Sequence, residues 1–163
     1  MGAVKKFKVK SRLATLALGH GGVSVRDALK AADAAIDNVR GDCLTTVDAR
    51  LAEIDRRFSA TAPGRNREPF GDLYDLSSNI IDLAMGLPNS GIEHAARALC
   101  DLVDLSLERD LRDWEAVDVH IETLRLLRAQ GQAFSPAQRD AVLGGLKKVT
   151  MKRVGEPGAL PTL

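Results

Sequence analysis

From Ser24 to Phe58, apolar side chains return every three or four residues: Val25, Leu29, Ala32, Ile36, Val39, Cys43, Val47, Leu51, Ile54 and Phe58. That spacing follows the turn of an α-helix and lines one side of it, so the segment is predicted to be one long amphipathic helix. Ser24 with Asp27 has the form of a capping box, with Asp where Glu is usual, and such a pair satisfies backbone amides that a helix start leaves unpaired. Gly41 falls inside the helix at a cost of about 1 kcal/mol relative to Ala, which points to a bend or a close helix crossing. Pro63-Gly64 must end the run.

The same period recurs downstream. A charged loop, 63–68, leads to a second helix with Leu73, Ser77, Ile80, Ala84 and Leu87 on one stripe, Ile81 beside it, and Asp72, Asp75, Asn79 and Asp82 opposite. A third is predicted to open on a Ser90–Glu93 capping box, to bury Ile92, Ala96, Leu99 and Val103, and to expose Glu93, Arg97, Asp101 and Glu108. After a break at 109–113, Trp114, Val117, Ile121, Leu124 and Leu127 mark a fourth. Ser135-Pro136-Ala137-Gln138 starts a fifth, with Ser as cap, Pro at the first helical position and Gln reaching back. It ends near Arg153, beyond which Gly155, Pro157, Gly158 and Pro161 forbid regular structure. No segment shows the period-two alternation of a strand. The expected class is all-α: an antiparallel four-helix bundle with an additional helix, since short connections favour antiparallel neighbours. The expected organisation is a flexible basic arm over 1–22, one helical-bundle domain over 23–153 and an irregular tail over 154–163.

Composition narrows the function classes. With 45 % hydrophobic residues and a net charge of +1 in 163 residues, the chain holds a real core and lacks the cationic surface that nucleic acid requires. Cys43 and Cys100 are far apart and near apolar seams, as expected of free thiols in a reducing cytoplasm. No apolar run approaches the ~20 residues of a membrane span. Residues 1–20 combine five cations with a short apolar stretch, Leu13 to Gly19, but no cleavage site follows, and Lys6 stands where a myristoylation motif wants Ser or Thr. The basic residues Lys5, Lys6, Lys8, Lys10 and Arg12 suit an acidic partner or anionic lipid. The acidic run Asp101, Asp104, Glu108, Asp110, Asp113, Glu115 and Asp118 is either a solvated face or a steering surface for a basic partner.

Conventional catalysis finds little support. Gly144-Gly145 and Gly19-His20-Gly21-Gly22 lack the strand–loop–helix frame of a phosphate loop. Ser77-Ser78 has no adjacent base, and His120-Ile121-Glu122 points its two candidate ligands in different directions. No metal and no cofactor are expected. His120, beside Val117, Ile121 and Leu124, sits at the border of an apolar face, whereas His20 lies among glycines.

Residues 70–111, FGDLYDLSSNIIDLAMGLPNSGIEHAARALCDLVDLSLERDL, give two polar-faced helices joined by a glycine-containing turn. This layout, over about residues 30–128, resembles the core of a histidine phosphotransfer (Hpt) domain. That family exposes a phosphorylatable His on one helix, with Lys three residues later and a small residue four later. The best-matching stretch here reads Asp75, Ser78, Asn79 and then Gly86, without the histidine. An isolated helical Asp lacks the neighbouring carboxylates and Mg²⁺ that support aspartyl phosphorylation, but it offers a permanent negative charge at the place of the phosphoryl group. His94 with Arg97 and Ala98 repeats the H-x-x-K-small spacing and is the alternative acceptor, Arg97 supporting the phosphoryl oxygens; His120 is a further one.

Trp114 to Arg128, with Ala96 to Asp104 and Val142 to Val149, is also similar to the small alphaproteobacterial chemotaxis proteins of the CheE family. The resemblance implies a cytoplasmic accessory protein of a chemotaxis or two-component pathway, with a response-regulator receiver domain or a histidine kinase as partner. The leading expectation is a non-enzymatic adaptor binding that partner through Asp75, Ser78, Asn79 and Asp82. The alternatives are true phosphotransfer through His94 or His120, and a structural bundle whose long first helix pairs with a copy of itself as a homodimer.

Overall fold

The computed structural model describes residue 19 and residues 22–87 and 90–154. Residues 1–18, 20, 21, 88, 89 and 155–163 lie outside the described residues, and with them the basic cluster from Lys5 to Arg12, His20 and the tail from Gly155 onward. Among those described, regular structure is entirely helical: α1 (Val25–Phe58), a 3₁₀ turn (Arg65–Arg67), α2 (Phe70–Ala84), α3 (Ile92–Glu108), α4 (Trp114–Gln130) and α5 (Pro136–Val154). The chain divides into two compact units, Met1–Asn38 and Val39–Leu163.

In the first unit, α1 begins as its sequence predicts. Ser24 Oγ accepts from the Asp27 amide at 3.1 Å and donates to the Asp27 carboxylate at 2.7 Å. The apolar residues that follow, Val25, Leu29 and Ile36, are exposed.

In the second unit the remainder of α1 buries Val47, Leu51, Ile54 and Phe58. Space beside Gly41 is open, so it marks no close crossing. Charged side chains fix this part of α1 against its neighbours. Arg128 grips Asp48 with two bonds of 2.7 Å from α4, and Arg125 Nε reaches Asp55 at 3.0 Å. As residue number rises from 48 to 55 it falls from 128 to 125, so α1 and α4 run antiparallel here. At the end of α1, Arg57 bonds Glu68 at 2.7 Å and also Asp72 of α2. These carboxylates raise the Arg57 pKa, with Asp72 contributing most. Beyond the 3₁₀ turn, Phe70 meets Trp114 edge to face at 5.4 Å, and the Arg65 guanidinium lies 4.8 Å over the Trp114 ring while pairing with Asp118 at 2.7 Å.

α3 is the central element: α2, α4 and α5 all pack on it, and α5 also packs on α4. Its buried set is correspondingly wide, adding Ala95, Cys100, Leu102 and Ser106 to the four residues of the predicted stripe. Its start differs from the predicted Ser90–Glu93 capping box. Gly91 is the N-cap in the left-handed region (φ 75°), which takes Ser90 out of the cap position. Ser90 Oγ instead donates to Leu87 O at 3.1 Å and accepts from Ile92 N at 3.3 Å, while Glu93 pairs with Arg97 at 3.1 Å. The end of α3 is a Schellman turn built on a non-glycine residue, Asp110 (φ 52°), with Leu111 N donating to Ser106 O at 2.9 Å and Asp110 N to Leu107 O at 3.3 Å. Asp113 caps α4 by accepting from Ala116 N at 3.0 Å. Ser135 and Gln138 form the reciprocal box foreseen for α5, at 2.9 and 3.3 Å.

Candidate functional site

α2 shows why one of its faces is free. Phe70, Leu73, Ser77, Ile80 and Ala84 are buried at steps of three and four, with Ser77 Oγ returning its proton to Leu73 O at 2.7 Å. The same geometry turns Asp75, Asn79 and Asp82 to solvent and leaves Ser78 half-buried. Asn79 Nδ2 donates to Asp75 O at 3.0 Å, which fixes its side chain along the ridge. Among the described residues, neither Asp75 nor Asp82 enters an ion pair. Asp72, one turn earlier, is already engaged by Arg57. Sequence reasoning overlooked Met85, which continues the ridge one turn beyond Asp82 and is 72 % exposed. Its signal was the i, i+3 spacing from Asp82. The ridge therefore offers two unpaired carboxylates, one amide and a soft apolar end along one helix.

His94 and Arg97 lie elsewhere, on the exposed side of α3. They border an open groove of about 900 Å³ between α3 and α5, whose lining includes Ala98, Gly144 and Lys147. Arg97 leans back to Glu93 at 3.1 Å. The groove was not legible beforehand because its α5 wall, Gly144 and Lys147, comes from the far end of the sequence.

His120 is fully buried. Its Nδ1 stands 2.7 Å from Ala116 O and its Nε2 3.0 Å from Thr150 Oγ1. A carbonyl only accepts, so Nδ1 carries the proton, and the neutral ring presents Nε2 as an acceptor to the Thr150 hydroxyl, whose single proton it shares with Leu146 O at 3.3 Å. Burial pushes the His120 pKa down, against smaller opposing effects of Ala116 O and Asp113. The unfolded chain thus takes up this proton at a higher pH than the fold does, and folding loses stability as pH falls below about 6.5. Urea titrations across that window should show a steeper loss for the wild type than for His120→Gln, by at most about 1.4 kcal/mol per pH unit. Identical slopes in the two proteins would refute the assignment.

Cys100 is a buried thiol whose Sγ lies 3.8 Å from Tyr74 O, and its pKa is raised to about 11 by burial, then by Asp104 and Asp101. It packs as a small hydrophobe. Cys43 is half-buried, and both cysteines are free. Among the described residues no helix is long and apolar enough to cross a membrane, and no group of three or more His, Cys, Asp or Glu is placed to hold a metal ion. Compared with protein families, with curated proteins and with solved structures, the chain matches none.

Proposed function

We propose that the protein is a non-enzymatic signalling adaptor of a bacterial chemotaxis or two-component pathway, docking a receiver domain or a histidine kinase through the α2 ridge of Asp75, Ser78, Asn79 and Asp82. The observation that carries this reading is the ridge itself: exposed, unpaired carboxylates on a helix whose other face is locked in the core. An Hpt-like bundle of α1 to α4, with α5 laid on α3 and α4, is the architecture we assign to it. It is supported by the ion pairs joining α1 to α2 and α4 and by the packing of α3 on both α2 and α4. Asp75 supplies a fixed charge where an Hpt domain carries a phosphoryl group, so the docked partner is held without group transfer. Such pathways work in the cytoplasm, where Cys43 and Cys100 stay reduced.

Asp75→Arg tests the reading, because the site is exposed and the change leaves the core alone. Against the receiver or kinase that binds the wild type, calorimetry should show affinity reduced at least about tenfold, or 1.4 kcal/mol. Full-strength binding by Asp75→Arg combined with Asp82→Arg, or no binding of any receiver or kinase from the same cell, overturns it.

A second reading, phosphotransfer through His94, is favoured by one observation: His94 is exposed beside a groove that also presents Arg97 and Lys147. Incubation with an active kinase and labelled ATP then gives acid-labile label that His94→Gln abolishes. Burial in the core speaks against His120 in that role, because a docking partner has no path to its ring.

A further inference from the structure

The first turns of α1 carry an apolar stripe that the fold leaves bare. Val25, Leu29, Ile36 and Val39 are 78, 61, 49 and 61 % exposed, although valine, leucine and isoleucine are ordinarily core residues. With Ala32 between them and Cys43 after them, they return at alternating steps of four and three. The same alternation lines the buried face of α2, so by itself it marks one helix face; on an exposed stripe it supplies the a and d positions through which two helices supercoil around one another. Beyond Cys43 the stripe continues through Val47, Leu51, Ile54 and Phe58, which turn into the core. A helix gains most of its stability by packing its amphipathic face, so this stripe calls for a partner of matching pattern.

We infer that the stripe is a dimerisation surface whose occupant is the same stripe of a second copy of the chain, aligned in parallel and in register. Leu29, Ile36 and Cys43 take the a positions of the heptad and Val25, Ala32 and Val39 the d positions, so that parallel alignment sets apolar against apolar in every layer. The flanking e positions hold Arg26, Asp33 and Arg40, and the g positions Ala28, Ala35 and Asp42. Parallel pairing sets Ala28 beside the partner's Asp33 and Ala35 beside the partner's Arg40, with no like charges in contact. The antiparallel register that keeps all the apolar layers sets Asp33 against the partner's Asp33 and Arg26 against the partner's Arg40, so charge selects the parallel form.

Two measurements on the full chain test this. Sedimentation velocity should find a concentration-dependent dimer for the wild type and monomer at every concentration for Leu29→Glu combined with Ile36→Glu. Both positions are exposed, so the substitutions leave the buried core of the second unit intact. Mild oxidation should also give a disulfide-linked dimer on a non-reducing gel, lost in Cys43→Ser, because the parallel register sets Cys43 against the partner's Cys43. A wild type that stays monomeric, or a dimer that survives the two glutamates, overturns the surface. A dimer lost with the glutamates yet never cross-linked through Cys43 overturns the parallel register.

Discussion

Leu99→Ala is expected to lower the unfolding free energy by about 2–5 kcal/mol. Leu99 is fully buried on α3, the helix against which α2, α4 and α5 all pack. Truncation removes the transfer free energy of the lost methylenes and leaves a cavity that cannot close, because moving any one wall of it means moving a helix held by the others. Leu107 serves as the control on the same helix. It is 52 % exposed, so Leu107→Ala should change stability by less than about 0.5 kcal/mol. Urea unfolding followed by circular dichroism reads both. Equal effects at the two positions would mean that α3 is not the centre of the core.

Gly131→Ala is the second large effect, and it depends on space rather than on backbone strain. Gly131 is buried at the end of α4 with φ −58°, a conformation alanine adopts freely. A Cβ there would nonetheless sit 2.5 Å from Ser90 O and 2.3 Å from Leu127 O, both backbone atoms with little freedom to yield. The contact exists because the end of α4 lies beside the start of α3, and the start of α5 closes over both. Arg139 Nη2 donates to Gly131 O at 3.4 Å and to Phe134 O at 3.3 Å, and its Cδ approaches the Cβ position of Gly91 to 3.0 Å. Alanine must push this junction apart, at a cost of about 1–3 kcal/mol. Gly145→Ala is the opposite case: open space inside α5 should make it stabilising by about 0.5–1 kcal/mol. Thermal melts of the two variants should therefore shift in opposite directions. A neutral Gly131→Ala would disprove the crowding at the junction.

The α2 ridge was legible from the sequence because a helix that buries Leu73, Ser77, Ile80 and Ala84 has no choice but to turn Asp75, Asn79 and Asp82 outward. The groove beside His94 was not, because periodicity within α3 carries no information about which distant segment lies against it. His120 shows the limit of a border position. Its place beside Val117 and Ile121 fits either a surface or a core residue, and the choice was made by Thr150, thirty residues away, supplying a hydrogen-bond partner inside the core.

Read alone, the order of amino acids determined that the described chain is helical, where most of its helices start and stop, and which side of each is apolar, since those properties depend on neighbours three or four residues apart. Tertiary structure alone decided that α3 sits at the centre and that only the part of the α1 stripe beyond Cys43 is covered. The same spacing of apolar residues marks the bare turns at Val25 to Val39 and the buried ones at Val47 to Phe58. A periodic pattern fixes the direction in which a helix needs contact, and only the packing of the other helices decides whether contact is there.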